Sequence, residues 1–171
     1  MIYMVEMALS EMDRRVEWEA WYLAHQKMLL TIPGFNASQR FETIHPTPAP
    51  FVALHDVDGP EVFTSPAYTS KAGPAGTGEW RTKMTNWSRN LFTGLDHTPD
   101  VGLDQWLLVI EENSPAARNP ALTLHWMKAV GLDVNVPRRA LAIVGSADIA
   151  RGFVGTEGVR VCRPLMRRIT E

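Results

Sequence analysis

One histidine stands out because it lies among apolar residues at helical spacing. His25 follows Trp21 and Tyr22 by one helical turn and precedes Met28 and Leu29 by another. An imidazole half-buried on such a face titrates close to neutral pH and can act as a general acid or base. The phenol of Tyr22 can reach the same space. The pair predicts proton transfer with His25 and Tyr22 as catalytic residues, and the alternative is an inert core histidine with one hydrogen bond.

Other aromatic and cationic residues could bind the substrate of such a reaction. Arg40 could hold a carboxylate, or it could pair with an acid such as Glu42. An aromatic and basic cluster after the glycine-rich residues 73–78 could close over a flat anionic ligand, or its tryptophans could simply pack. The predicted substrate-binding residues are Trp21, Arg40, His55, Trp80, Arg81, Asn86, Trp87 and Arg89.

The sequence offers no motif for a metal or a nucleotide. The five histidines, at positions 25, 45, 55, 97 and 125, show no HxxxH or HExxH spacing, and the single cysteine, Cys162, excludes a CxxC pair. Neither a P-loop nor a GxGxxG turn is present. We therefore expect no metal and no cofactor, although haem stays open because it needs only one axial histidine and an apolar cavity. Cys162 is expected to be a buried apolar residue.

Composition limits the class of protein. With 171 residues, 45% apolar and 21% charged, the chain suits one globular domain or two half-size modules. A net charge of -2 with dispersed arginines argues against nucleic acid as a partner, and the apolar runs are too interrupted to span a membrane. The first residues lack the features of a secretory signal, so a cytoplasmic location is expected.

The first half of the chain has the order strand, helix, strand, strand, helix, strand. Residues 2–7 predict a strand, and a helix with an apolar stripe follows and ends at Pro33-Gly34; the stripe comprises Trp18, Trp21, His25, Met28, Leu29 and Ile32. Residues 38–45 and 51–57 predict an antiparallel pair that places Phe41 near His55. Residues 60–70 predict a weaker helix, residues 73–78 a mobile loop, and residues 80–95 an ambiguous segment ending in an edge strand. This order is that of a ferredoxin-like antiparallel sheet with helices on one face, in the α+β class.

The second half offers a less regular version of the same order. Residues 105–111, 139–144 and 159–169 predict strands, and Leu122, Trp126, Ala129 and Val130 predict a helix stripe. We divide the chain into a ferredoxin-like module at 1–100 and, at 101–171, either a second degenerate half or a C-terminal extension. Both faces of the first sheet are partly apolar, so a second sheet must cover one of them. It could come from the second half or from a partner in a homodimer or higher homo-oligomer.

Several residues and their spacing resemble a known family. Trp21-Tyr22-Leu23-Ala24-His25, then Ile32-Pro33-Gly34-Phe35 and Gln39-Arg40-Phe41, resemble the WY...H....PGF...R(F/Y) signature of EthD-like proteins in the dimeric α/β-barrel superfamily. The resemblance covers residues 1–95, and the later residues match only in strand order. It implies a dimeric α/β-barrel, possibly tandem, with His25 as acid or base in a cofactor-independent isomerase, dehydratase, decarboxylase or cyclase. Other branches of the superfamily use haem.

These observations favour a cofactor-independent acid/base enzyme, an isomerase or lyase. Its substrate would be a small anionic molecule, a conjugated or aromatic-derived carboxylate, and cis–trans isomerisation of a ring-cleavage dienoate in aromatic catabolism is one example. The alternatives are a non-catalytic ligand-binding or assembly module and a haem-dependent member of the superfamily.

Overall fold

The computed structural model describes residues 1–170, and for residues 74 and 75 it describes the backbone alone. The strands in this range are β1 (Ile2–Leu9), β2 (Phe35–Thr43), β3 (Phe51–Val57), β4 (Met84–Thr93), β5 (Trp106–Glu111), β6 (His125–Leu132), β7 (Arg138–Val144), β8 (Val159–Pro164) and β9 (Ile169–Thr170). The α-helices are α1 (Arg15–Leu29), α2 (Pro66–Lys71), α3 (Gly73–Gly76) and α4 (Ala147–Arg151), and 3-10 helices lie at Met12–Arg14, Pro60–Thr64, Gly78–Thr82 and Pro115–Arg118. The predicted α+β class with an antiparallel sheet is confirmed. No helix within residues 1–170 is long and apolar enough to cross a membrane.

Eight of these strands close into a barrel. They pair in the order β3-β1-β4-β6-β7-β5-β8-β2, and β2 pairs back with β3. All pairs are antiparallel, and β9 lies beside β2 beyond the end of β8. The order β2-β3-β1-β4 in the first half recurs as β6-β7-β5-β8 in the second. The second sheet that the first one needs therefore comes from the same chain.

The interior of the barrel is a shared core with charged groups towards its ends. Side chains from both halves meet there, and the fully buried members include Ile2, Met4, Phe41, Leu54, Phe92, Leu107, Leu141 and Cys162. Near one end the carboxylate of Glu6 lies 2.6 Å from the guanidinium of Arg139 and 2.6 Å from that of Arg160. Near the other end Asp56 pairs with Arg168. Because one core draws on both halves, the boundary between 1–100 and 101–171 stays a prediction, as does a homo-oligomer.

The outer face of the first half is covered by α1. This helix is rich in strong helix formers, has Glu17 in its first turn and Lys27 in its last, and ends before Gly34, whose φ of 93° suits glycine. Its buried side chains are Trp18, Tyr22, Gln26 and Leu29. The buried stripe is thus rotated from the predicted one, and Trp21 and His25 lie at its half-buried edge.

The outer face of the second half is covered by short elements. A core of β-strand residues, among them Leu108, Ile110, Ala140, Ala142 and Val161, packs under the 3-10 helix Pro115–Arg118 and α4. Alanine at two central positions of β7 lets these short elements lie directly on the sheet. Cys162, on the inner face of β8, is fully buried as expected, and burial raises the pKa of its thiol to about 11.

Three predictions about secondary structure are wrong. The stripe Leu122 to Val130 belongs mainly to β6, a strand with Met127 and Ala129 facing the barrel and Trp126 facing outward, and the spacing of its apolar residues imitates that of a helix. Residues 73–78 contain the helical turn α3 instead of a loop. Residues 80–95 contain β4, which pairs on both sides with β1 and β6 and is not an edge.

The register of β2 differs from the expected one. Phe41 pairs with Val52, whereas His55 pairs with Ser38. Phe41 points into the barrel while His55 contacts Tyr3 and Phe35 on the outer side. Val52, the partner of Phe41, precedes His55 by three residues. Successive strand residues alternate between faces, so this odd number puts Phe41 and His55 on opposite sides of the sheet.

Candidate functional site

A cavity of about 420 Å³ lies on the outer face of the first half, between α1 and the sheet. Tyr22, His25 and Leu29 of α1 form one wall, and Tyr3 and Val5 of β1 belong to the sheet floor. The volume falls within the range of small-molecule pockets. The cavity is separate from the barrel interior, which is filled by the shared core.

His25 presents a neutral imidazole to this cavity. Its ring stacks on Trp21 with the ring centres 5.1 Å apart and the planes at 21°. Burial lowers the pKa of His25 to about 4, because an imidazolium would lose its hydration. The expectation that His25 titrates near neutral pH is therefore wrong. At neutral pH it can accept a proton but has none to give beyond its ring N–H.

His55 enters the same cavity from β3. It is 1% exposed, and its ring stacks on Tyr3 at 5.3 Å. Burial, with smaller contributions from the charges of His25 and Arg40, lowers the pKa of His55 to about 3. Its Nδ1 is buried without a hydrogen-bond partner among the described residues. Burying such an atom costs about 1–3 kcal/mol of stability unless it forms a hydrogen bond. A ligand that forms a hydrogen bond with His55 Nδ1 would remove this cost.

Tyr22 is backed by a buried cation. The guanidinium of Arg40 lies 3.9 Å from the centre of the Tyr22 ring and 4.6 Å from that of Trp18, and it donates to Glu19 at 2.6 Å. Burial raises the pKa of Tyr22 to about 12, although the charge of Arg40 acts in the opposite direction. Tyr22 is therefore a protonated hydrogen-bond donor. Arg40 is 3% exposed and does not line the cavity. It therefore packs behind Tyr22 and is not placed to hold the carboxylate of a substrate.

A second phenol is positioned by a helix cap. Ser65 caps the N-terminus of α2, which begins at Pro66, and its hydroxyl accepts a hydrogen bond from the backbone N–H of Tyr68 in the first turn. The Tyr68 ring stacks parallel to that of Phe35 at 6.0 Å. Burial raises the pKa values of both Tyr68 and Tyr3, while the charge of Arg89 lowers them. Both are thus neutral donors whose environment includes a nearby cation.

The rim of the cavity carries two arginines in different settings. Arg81, in the 3-10 helix Gly78–Thr82, is exposed and makes no ion pair with any described residue. Arg89, on β4, lies 3.9 Å from the carboxylate of Asp133. Trp87, two residues before Arg89 on the same face of β4, is 38% exposed beside them. The rim thus offers an aromatic surface, one free cation and one paired cation.

The structure brings six of the ten predicted site residues to the cavity: Tyr22, His25, His55, Arg81, Trp87 and Arg89. Trp21 stacks on His25, and Trp80 is buried with the charged groups of Arg14 and Lys83 near its ring. Asn86 is exposed and donates to the carbonyl of Pro48. These three and Arg40 do not line the cavity. The catalytic and binding roles of the other six stay predictions.

Sequence reasoning missed Tyr3, Tyr68 and Asp133. Tyr3 alternates with inward-facing residues of β1, so its outward position was readable from the strand pattern. The Ser65-Pro66 start signal of α2 could have placed Tyr68. Asp133 carries no such signal, because it reaches the cavity only through the pairing of β4 with β6.

No metal site accompanies the cavity. Within the part of the chain that the structure describes, no three histidine, cysteine, aspartate or glutamate side chains are close enough to hold a metal ion. The cavity contributes two histidines and one aspartate, and Asp133 is engaged with Arg89.

Comparison with solved structures places the fold. An anthrone oxidase-like protein matches with a TM-score of 0.60 at 8% identity, covering 99% of this chain and 92% of the other. A protein assigned as a monooxygenase from Lactobacillus acidophilus NCFM matches at 0.56 and 10% identity, covering 99% and 95%. A protein assigned as a chlorite dismutase, TA0507, matches at 0.51 and 9% identity, covering 96% and 95%. No family model matches the chain, and no curated protein matches it in sequence.

These neighbours define the fold class. The chain has the dimeric α/β-barrel fold, as the sequence resemblance implied. At identities of 8–10% the likeness concerns the fold alone, and the resemblance to EthD-like proteins within it stays a prediction.

Proposed function

We propose that this protein is a cofactor-independent enzyme that moves a proton on a small conjugated or aromatic-derived carboxylate, as an isomerase or lyase. The observation that carries the proposal is the neutral imidazole of His25 in a cavity that also holds a protonated phenol, that of Tyr22, and a free cation, that of Arg81. A base, a hydrogen-bond donor and an anion anchor are the groups that proton abstraction next to a conjugated system needs.

Each group has one task in this proposal. Arg81 binds the substrate carboxylate at the rim, and Trp87 lies against the flat face of the substrate. His25 removes a proton from carbon and returns it to another carbon of the same substrate, which gives isomerisation, or keeps it until a leaving group departs. The Tyr22 hydroxyl donates a hydrogen bond to the substrate. The substrate is neither oxidised nor reduced, and no oxygen atom is added to it.

The pKa of His25 sets the expected pH profile. A base with a pKa of about 4 is ready to accept a proton across the neutral range. The rate should stay level from neutral pH down to about pH 5 and fall as His25 becomes protonated near pH 4. Such a base is weak, so the carbon acid must be activated by conjugation, which is consistent with an unsaturated or aromatic-derived substrate.

The neighbours' names are compatible with this chemistry. Anthrone is an aromatic compound with an acidic C–H group, and the names oxidase and monooxygenase describe reactions with small organic molecules. We therefore include phenolic and anthrone-type compounds beside ring-cleavage dienoates in the substrate panel.

The test follows conversion of that panel by ultraviolet absorbance, with oxygen uptake recorded in parallel. We expect conversion by the wild-type protein and a loss of about 10²- to 10⁴-fold in His25→Gln. The matched control is His125→Gln, because His125 is exposed on β6 and does not line the cavity. Equal rates in wild type and His25→Gln would overturn the proposal, and conversion that consumes oxygen would change the reaction class while keeping the base.

Two other functions are separated by the same experiment. A binding or assembly module would show ligand-induced thermal stabilisation without conversion of any compound. A haem-dependent enzyme would use His25 or His55, the two imidazoles in the cavity, as axial ligand, and protein purified from cells supplied with haem would absorb visible light.

A further inference from the structure

We infer that Tyr68, Arg89 and Asp133 form an oxyanion-binding group in the cavity of His25, in which Tyr68 and Arg89 contact the substrate oxygen and Asp133 positions Arg89. The inference rests on the proposed function, and it narrows the substrate class. It names a carboxylate whose proton loss places negative charge on a conjugated carbonyl oxygen.

Asp133 is brought to the cavity by a strained turn. Its neighbours Leu132 and Val134 have φ values of 65° and 45°, and neither is glycine. A β-branched residue such as Val134 rarely adopts this left-handed conformation, which costs about 1–3 kcal/mol per residue. Strain of this kind persists where surrounding contacts impose it, and it is frequent at functional sites.

The contacts that impose the turn all involve β4. The backbone N–H of Arg89 donates to Oδ2 of Asp133 at 2.7 Å, and the backbone N–H of Asp133 donates to the carbonyl of Arg89 at 2.9 Å. The amide of Asn135 is hydrogen-bonded to the side chains of Ser88 and Asn90. The strained turn therefore fixes one carboxylate beside one arginine at the rim of the cavity.

The Asp133 carboxylate tethers Arg89 without neutralising it fully. The nearest oxygen-to-nitrogen distance of 3.9 Å is at the outer limit of an ion pair. A closer anion could therefore compete for the free N–H groups of the guanidinium. Arg81 differs because no described residue forms an ion pair with it, which suits the carboxylate anchor.

Tyr68 completes the group because it lines the same cavity as Arg89. The charge of Arg89 lowers the pKa of the Tyr68 phenol, but burial raises it more, so the pKa lies above its ordinary value. Tyr68 is therefore protonated at neutral pH, and its O–H can donate a hydrogen bond to a substrate oxygen in the cavity.

The reaction balances without any further reactant. When His25 takes a proton from carbon, the C–H electron pair moves into the conjugated system and a carbonyl oxygen becomes an enolate oxygen. Tyr68 and Arg89 donate hydrogen bonds to that oxygen, and no proton leaves them. When His25 returns the proton to a second carbon, the carbonyl is restored and the double bond has moved.

The test measures charge preference without relying on turnover. Para-nitrophenol is titrated into the protein near its own pKa, and the phenol and phenolate forms are followed by their separate absorption bands. We expect the wild-type protein to bind the phenolate at least tenfold more tightly than the phenol, because hydrogen bonds to a charged oxygen are stronger than those to a neutral one.

The variants assign that preference to residues. Tyr68→Phe and Arg89→Gln should each reduce it by about tenfold, Asp133→Asn should reduce it by about threefold, and Arg89→Lys should restore part of it. Arg81→Gln should reduce the preference less than Arg89→Gln does, because Arg81 is assigned to the carboxylate of the substrate and not to its reacting oxygen. Thermal unfolding of each variant excludes loss of the fold.

The outcomes separate this inference from the proposed function. A preference that persists in folded Tyr68→Phe and Arg89→Gln, or that disappears in Arg81→Gln alone, would overturn the oxyanion assignment even if His25 proves to be the base. A preference lost in the first two variants supports the assignment even if no compound in the substrate panel is converted.

Discussion

The outer faces of the two halves differ although their strands follow the same order. In the first half, the sheet under α1 presents Tyr3, His55 and Arg89 to a cavity. In the second half, the sheet presents Leu108, Ala140 and Ala142 to short helices that lie directly on it. The same backbone order thus supports a polar, open surface on one side and a close-packed apolar one on the other.

The difference shows where the sequence departs from what stability alone would select. The half-buried His25 and the buried His55 both have lowered pKa values, and Nδ1 of His55 has no hydrogen-bond partner among the described residues, so both weaken the first half. Among the described residues, every buried side-chain nitrogen or oxygen without a hydrogen-bond partner belongs to residues 1–100. Residues that lower stability yet line a cavity are candidates for function.

The largest stability effect should come from the ion pairs that join the two halves. Glu6→Gln leaves Arg139 and Arg160 without their buried counter-charge and should lower the free energy of unfolding by about 3–5 kcal/mol, measured by urea denaturation. Glu112→Gln removes an exposed pair with Arg138 and should cost less than about 1 kcal/mol. Similar losses in both variants would show that the interior pairs do not hold the halves together.

Acid should weaken the protein chiefly through the first half. The folded pKa values of His25 and His55 are about 4 and about 3, below the ordinary value of 6.5. At pH values between 6.5 and these pKa values, the unfolded chain therefore binds more protons than the folded protein. Stability is complete above pH 6.5 and is lost as the pH falls from there towards those values. Between pH 7 and pH 4 each of the two histidines should contribute a loss of about 3 kcal/mol.

The double variant His25→Gln/His55→Gln tests this origin. It should flatten the acid side of the stability profile, whereas His125→Gln should leave the profile unchanged. A profile as steep in the double variant as in wild type would assign the acid sensitivity to other groups.

Enlarging a side chain should separate the close-packed face from the open one. Ala142→Leu adds volume to the fully buried core of the second half and should cost about 1–3 kcal/mol. Val5→Leu adds volume beside the cavity and should cost less, because the added methylene has space to enter. Thermal denaturation measures both, and Val5→Leu should also weaken binding of para-nitrophenol. Equal destabilisation would mean that the cavity collapses around ordinary side chains.

The smallest effect concerns the strained turn. Val134→Gly removes the steric penalty at a φ of 45° and should stabilise the protein by up to about 1 kcal/mol. It should also let Asp133 move and reduce the phenolate preference. Destabilisation on this change would indicate that Val134 packs more than it strains.

The strand positions of the first half and its histidine were accessible from sequence because their signals are local. The strand at 51–57 is observed as β3 at the same residues, and the helix containing Tyr22 and His25 lies where its stripe predicts. The periodicity of apolar residues indicates which residues of a helix or strand share a face. The two catalytic candidates lie on one helix, so they are neighbours in any fold that keeps that helix.

The remaining parts depend on contacts between distant residues. β6 was predicted as a helix because its apolar residues are spaced as in a helix, although Trp126 faces outward and Ala129 faces the barrel. Asp133 meets Arg89 only because β6 pairs with β4, and the pKa of His25 depends on how much of its ring the whole fold encloses. Neither the pairing of β6 with β4 nor the enclosure of His25 can be predicted from the order of residues along the chain.

The closure of the barrel has a consequence for the order of folding. The seam between β2 and β8 joins residues such as Thr43 and Cys162, which lie 119 positions apart. Contacts of such long range form slowly, because a large loop must be ordered before they contribute. Until that seam closes, β2 and β8 each present an unpaired edge, so refolding at high protein concentration should yield intermolecular strand pairing and aggregates.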